Sequence, residues 1–230
     1  MVEVTFSQVQ PWSLVPDPPR ADRAGARAER DAYRKHFRYK RITRLPVDCP
    51  PWVLGQELGW LVRSPVSIDM APLGDLDFDV PPDEELRDVG RKINRSEVWH
   101  RGDGWIATRD SSWLRTYDYR SDDDNWESMF LPNGLGTVEW RLGWGVTIPE
   151  RYFLMVMDVA VPGLEVPLGV IPARAANGMA ERGGFSVAVR PTRPVSLRRG
   201  DPIARLVLLH ADSLRSSTGR PAPEGSTDDR

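Results

Sequence analysis

The sequence has almost no cysteine, lysine or histidine, and each scarcity closes off a class of chemistry. Cys49 is the only cysteine in 230 residues, so neither an internal disulfide nor a zinc site built from several thiolates can form. In VDCPPW it reads most simply as a small buried hydrophobe, with a reactive thiol as the alternative. His36, His100 and His210 lie far apart, and no two have the spacing of a metal-binding pair. No metal and no cofactor is therefore expected. Lysine occurs only at Lys35, Lys40 and Lys92, and the other positive charges are arginine, a bias that GC-rich coding produces without any nucleic-acid role. A net charge of −2 lacks the basic excess needed to displace counterions from a polyanion, so no nucleic-acid partner is expected. Long apolar runs are missing too. None approaches the roughly 18–20 residues that span a bilayer, and MVEVTFSQVQPWSL lacks the basic start and apolar centre of a signal peptide. The expectation is a cytoplasmic chain with no membrane partner.

What the chain does have is short β-rich runs and tryptophan. VEVTF alternates like a strand before PWSLVPDPP, whose prolines forbid a regular ladder. ADRAGARAERDAYRKHFR, from Ala21 to Arg38, reads as a surface helix with a thin apolar stripe. Residues 41–73 are punctuated by Pro46, Pro50, Pro51, Gly55, Gly59 and Pro65, which suits short strands and irregular connections. PPDEELRDVGRKI, 81–93, has a proline start and an acidic first turn and reads as a short helix. The aromatic and β-branched residues around RGDG, 101–104, predict a hairpin. From Gly136 the pattern is regular: TVEWRLGWGVTIP, YFLMVMDVAV, LEVPLGVIPA, GFSVAVRP, PVSLRRG and PIARLVLLH are β runs separated by Gly and Pro. This spacing predicts an all-β protein, a short-stranded antiparallel barrel or sandwich. The tail from Ser213 to Arg230 is expected to be disordered.

Residues 144–209 resemble the β-clip core of the dUTPase and dCTP deaminase superfamily. The likeness is carried by IPERYFLMV, PLGVIPARAANG, GGFSVAVRP and VSLRRGDPIARLVLL, in that order. It implies a β-clip core over 134–212, an N-terminal β/α extension over 1–133, and a homotrimer with sites between subunits. A second resemblance, spread over YR, LP, GW, LGTVEW and GDPIA, is to bacterial domains of unknown function and carries no activity. The catalytic carboxylates of the superfamily are not matched. Where dUTPases place an aspartate after Gly-Val-Ile, with another two positions on, this chain has Pro172 and Arg174. Where the deaminases place a glutamate after the Gly-Phe strand, it reads VAVRPTRP. Neither proline nor arginine offers a basic lone pair to a water at neutral pH, so ordinary dUTPase or deaminase chemistry is not expected.

The candidate site residues come from three clusters. In WLRTYDYR, 113–120, strand alternation places Trp113, Arg115, Tyr117 and Tyr119 on one face and Thr116, Asp118 and Arg120 on the other. Aromatics with arginine suit a planar anionic ligand, whereas an amphipathic edge strand with surface ion pairs is the plain alternative. In TVEWRLGW, Glu139 and Arg141 share the face opposite Trp140 and are placed to pair with each other or with strand neighbours. Asp158 interrupts the apolar run LMVMDVAV, where a carboxylate needs a partner or a raised pKa. Arg174, Arg182, Arg190 and Arg193 gather where the superfamily binds nucleotides, and arginines there serve a ligand or a subunit interface equally well. Glu139, Asp158, Tyr117 and Asp118 are the candidate catalytic groups. Trp113, Arg115, Tyr119, Arg120, Arg174 and Arg190 are the candidate ligand contacts.

Three functions fit these observations. One is an enzyme that kept the fold and replaced the chemistry, acting on a small anionic or polycyclic metabolite as in bacterial specialised metabolism. The others are a non-catalytic nucleotide- or ligand-binding regulator and a trimeric scaffold. The nine tryptophans and the in-strand charges favour the first.

Overall fold

In the computed structural model the described residues are 2–36, 49–72, 75–76, 85–95, 97–101, 104–108, 118–120, 126–133 and 136–215. Strand β1 (Thr5–Gln8) is followed by helices α1 (Arg23–His36) and α2 (Pro50–Glu57), then β2 (Trp60–Arg63), β3 (Ile68–Met70) and β4 (Asp75–Leu76). Helix α3 (Leu86–Lys92) leads to β5 (Glu97–Arg101), β6 (Gly104–Thr108), β7 (Asp118–Arg120), β8 (Trp126–Ser128) and β9 (Phe130–Pro132). The later strands are β10 (Val138–Arg141), β11 (Trp144–Thr147), β12 (Tyr152–Met157), β13 (Leu164–Glu165) and β14 (Gly169–Pro172). Helix α4 (Ala173–Asn177) then precedes β15 (Ser186–Pro191), β16 (Val195–Leu197) and β17 (Pro202–His210).

The protein is mostly antiparallel strand. Two four-stranded sheets, β13-β15-β10-β9 and β14-β12-β17-β2, are accompanied by the smaller pairs β1-β11, β16-β3 and β7-β8 and by the three-stranded β4-β6-β5. Both four-stranded sheets contribute to a single apolar core, Trp140, Val187 and Val189 from one and Leu154, Ile203 and Leu206 from the other. The barrel alternative is corrected: the described sheets are open and none closes on itself.

The turn at Arg198–Asp201 and β17 show how local chemistry sets this architecture. Gly200 has φ +95°, a left-handed value that a side chain disfavours, and its N–H donates to the Ser64 carbonyl at 2.8 Å. Asp201 accepts from the Arg198 N–H at 2.8 Å, so the charged residues close the turn themselves. Pro202 then begins the strand at a bulge against β2, where its missing donor costs no ladder bond. Ile203, Ala204, Leu206 and Val207 are all buried, as a strand covered on both faces requires. Each large side chain removed from water there stabilises the fold by about 1.5–3 kcal/mol.

Trp140, Trp144, Phe130 and Phe185 fill the centre, with Trp144 stacked on Phe185 at 4.4 Å and 10°. That stacking needs two backbones to meet closely. A Cβ on Gly184 would lie 2.8 Å from the Gly143 Cα, so glycine at both positions is a steric requirement. The hairpin expected around RGDG is present as β5 paired with β6. Helix α2 stands where Pro50 and Pro51 predict an irregular connection. They occupy its first positions, where no N–H partner is required and proline's fixed φ favours the helix.

Candidate functional site

Three polar side chains meet beside β10. Register pairs Tyr119 of β7 directly with Glu127 of β8, so both project to the same side of that ribbon. The Arg141 N–H donates to the Met129 carbonyl at 2.8 Å, which joins the end of β10 to the chain just after β8. The Tyr119 hydroxyl donates to Glu127 Oε2 at 3.0 Å and accepts from Arg141 Nη1 at 3.1 Å. Arg141 Nη1 also contacts Glu127 Oε2. Tyr119 is 5% exposed, while the side chains of Arg141 and Glu127 keep 24% and 38% of their surface.

Burial pushes the Tyr119 phenol above the ordinary tyrosine pKa, outweighing the opposite pull of Arg141. Burial would lower Arg141, yet the phenol and the carboxylate prevail and hold it above the usual guanidinium value. At neutral pH the cluster is therefore a guanidinium, a neutral phenol acting as donor, and the Glu127 side chain that accepts from both. Trp12 closes one side: its ring centroid is 5.3 Å from that of Tyr119, and its edge rests on Gly143.

A second polar group lies at the end of β2. Arg63 grips Asp17 through Nε at 2.6 Å and Nη2 at 3.0 Å, and its Nη1 donates to the Gly200 carbonyl at 2.9 Å. The hydrogen bonds from Arg63 hold the Asp17 carboxyl below the usual range, and the same bonds hold Arg63 above its own. The pair borders an open cleft of about 430 Å3, lined also by Pro18, Pro19, Arg20 and Leu61.

The expected site residues are dispersed. Trp113, Arg115 and Tyr117 lie outside the described residues. Over 118–120 the alternation is as expected: Tyr119 is buried, and Asp118 and Arg120 are exposed on the other face. Arg141 pairs with strand neighbours, the second of the two arrangements considered, and not with Glu139. Glu139 is half-buried between Leu131 and Ala188, with no recorded bond among the described residues.

Asp158 is not a core carboxylate. Strand β12 ends at Met157, and Asp158 is exposed, its Oδ1 accepting from the Ala160 N–H at 3.0 Å where Ala160 adopts φ +58°. It terminates the strand as a turn residue, a role that aspartate's short side chain favours. Arg190 is engaged by Glu165, directly opposite on β13, through Nε at 3.0 Å. Arg174 is exposed on α4, and Arg182 Nε donates to the Gly178 carbonyl at 3.2 Å. Among the described residues no group of three or more metal-ligating side chains comes together.

Sequence reading missed Glu127 and Trp12. The WES alternation after the SDDDN loop held the signal for Glu127, since a hairpin there places it opposite Tyr119. Nothing local pointed to Trp12, which reaches the site through a long-range contact.

Neither a protein-family model nor a curated protein matches the chain. Among solved structures it is similar to the dUTPase of EIAV, with 12% identity, 75% of this chain and 88% of the other covered, and a TM-score of 0.34. It is also similar to a dUTPase of phage phi11 of S. aureus, with 8% identity, coverage of 98% and 97%, and a TM-score of 0.39. The dUTPase of Staphylococcus bacteriophage 80alpha with dUpNHpp gives 8% identity, coverage of 98% and 90%, and a TM-score of 0.39.

Proposed function

We propose that this chain is a divergent β-clip protein that binds a small anionic or polycyclic metabolite at the Tyr119–Glu127–Arg141 cluster and acts on it by chemistry other than dUTP hydrolysis or dCTP deamination. The observation that carries this reading is the geometry of Arg141. Among the described residues every recorded side-chain bond of Arg141 leaves from Nη1. Nη2 and Nε remain to receive an anion in the forked geometry that guanidinium groups favour. Trp12 supplies an apolar wall.

A non-catalytic binding role is the second reading. It is favoured by the Tyr119 proton, which is committed to Glu127 and held by a raised pKa, an arrangement suited to donating a hydrogen bond and not to abstracting a proton.

A thermal-shift screen against nucleoside phosphates, with and without magnesium, and against aromatic carboxylates tests both. A ligand at 100 times its dissociation constant raises stability by about 2.7 kcal/mol. Loss of that shift in Arg141→Gln supports the site, and an unchanged shift rejects it. With a ligand in hand, Glu139→Ala, Asp158→Ala, Asp118→Ala and Tyr117→Phe decide which expected group carries turnover. Product formation selects the enzyme, and binding without product the regulator. We propose a trimer as the assembly, which sedimentation equilibrium reads directly.

A further inference from the structure

Residues 9–19 cross the protein with little backbone pairing of their own. At one end the N–H groups of Val9 and Gln10 both donate to the Gly143 carbonyl, at 3.1 and 2.7 Å. At the other, Asp17 forms an isolated bridge with Leu61, its N–H and carbonyl each bonded to that residue at 3.3 and 2.8 Å. Pro16, Pro18 and Pro19 flank this bridge and have no N–H to extend it.

Side chains make up the difference. Arg63 holds the Asp17 carboxylate by two bonds, and Arg199 Nη1 donates to the Trp12 carbonyl at 2.8 Å while also contacting the Pro65 carbonyl. Both arginines belong to one corner, since Arg63 also binds the Gly200 carbonyl and the Arg199 N–H donates to Ser67 Oγ at 2.9 Å.

The segment carries Trp12 onto Tyr119. Its indole lies between Gly143 and the Tyr119 ring, and its Nε1 is buried without a hydrogen-bond partner among the described residues. Ser13 Oγ, next along the chain, is buried and has no partner among the described residues either. Buried donors left unpaired cost free energy, so the locked position is held by the two arginine clamps, one of them on the Trp12 carbonyl, and by packing against the core, and not by a bond from the indole. Gln10, Ser13, Pro16 and Pro19 are buried, and a segment with so few backbone bonds to its neighbours opens as a unit when a clamp goes.

We propose that residues 9–19 are a strap, latched by Asp17–Arg63 and by Arg199 on the Trp12 carbonyl, and that its release is the gate to the Tyr119–Glu127–Arg141 cluster. As a gate to ligand this rests on the function proposed above, but the exposure of Tyr119 on release does not, and it is measured without any ligand.

Asp17→Asn removes the charge of the latch and leaves the backbone bridge able to form. The readouts are amide exchange at Asp17 and Leu61 and nitration of Tyr119 by tetranitromethane, located by peptide mass spectrometry, with Tyr152 as internal control. On release both amides exchange about tenfold faster and Tyr119 nitration rises about fivefold, while Tyr152 is unaffected. Faster exchange with Tyr119 nitration unchanged would show that the segment opens without uncovering the cluster, and the gate would be rejected. No change in either readout in a folded variant rejects the latch. If Asp17→Asn fails to melt cooperatively, Arg199→Lys is judged by the same two criteria. A Tyr119 that becomes exposed in a protein that binds nothing in the screen would retain the strap and reject the ligand site.

Discussion

The side chain of Asn177 completes a two-bond ring with the backbone of Ile148, its Nδ2 donating to the carbonyl at 3.0 Å and its Oδ1 accepting from the N–H at 2.9 Å. Ile148 is 2% exposed, so these two backbone groups have no water to fall back on. The amide stands in for a neighbouring strand and fixes α4, with Arg174, against the end of β11. Asn177→Ala leaves both backbone groups unpaired and is expected to cost about 2 kcal/mol, or about 4–8 °C in melting temperature. Urea unfolding monitored by tryptophan fluorescence measures it, and a loss below about 0.5 kcal/mol would mean that water replaces the amide.

Tyr119 gives a prediction about alkaline pH. Its folded pKa is raised by burial, so the folded state holds the phenolic proton more tightly than the unfolded chain does. The stability this contributes is complete below the ordinary tyrosine value of about 10 and is lost as pH rises through the raised one. Absorbance titration at the phenolate band should show a late-titrating component that Tyr119→Phe removes.

Asp17 gives the opposite case. Hydrogen bonds from Arg63 lower its folded pKa, so the latch contributes stability above the unfolded aspartate value of about 3.9 and loses it as pH falls through the lowered one. Asp17→Asn should flatten this part of the acid limb of a stability-against-pH curve. The pair is only partly buried, so salt should weaken it as well.

Arg190 separates binding from folding. Its ion pair with Glu165 is exposed on both sides, with side-chain exposures of 46% and 49%. Such pairs contribute about 0–1 kcal/mol, so Arg190→Ala should melt close to the parent protein. A ligand shift lost in that variant would assign Arg190 to the ligand, and a retained shift would assign it to the β13–β15 pairing alone.

Leu206 and Leu168 calibrate the core. Leu206 is fully buried on the central strand β17, whereas Leu168 is 71% exposed just before β14. Leu206→Ala should cost about 2–5 kcal/mol through lost burial and the cavity left behind, and Leu168→Ala about 0.5 kcal/mol or less. Equal losses would place Leu168 in a contact that this chain makes with another molecule.

The amino-acid sequence by itself determined what depends on neighbours in the chain. Period-two alternation between Gly and Pro breaks marked the strands after Gly136. The RGDG turn marked the β5–β6 hairpin, and the Gly200–Pro202 spacing marked the start of β17. Each follows from backbone preferences that a few consecutive residues express. The buried Tyr119 between exposed Asp118 and Arg120 was legible for the same reason.

Tertiary structure alone decided which charges meet. Asp158 looked like a core carboxylate because its flanking residues are apolar, but whether a strand runs through it or stops at Met157 is set by packing. Arg141 passed over Glu139, two residues away, for Glu127 and Tyr119 on another ribbon. Trp12 reaches Tyr119, and Asp17 reaches Arg63, across long stretches of chain. Ion pairs and ring contacts of this kind form where folding brings side chains within a few ångströms, and separation along the sequence carries no record of that distance.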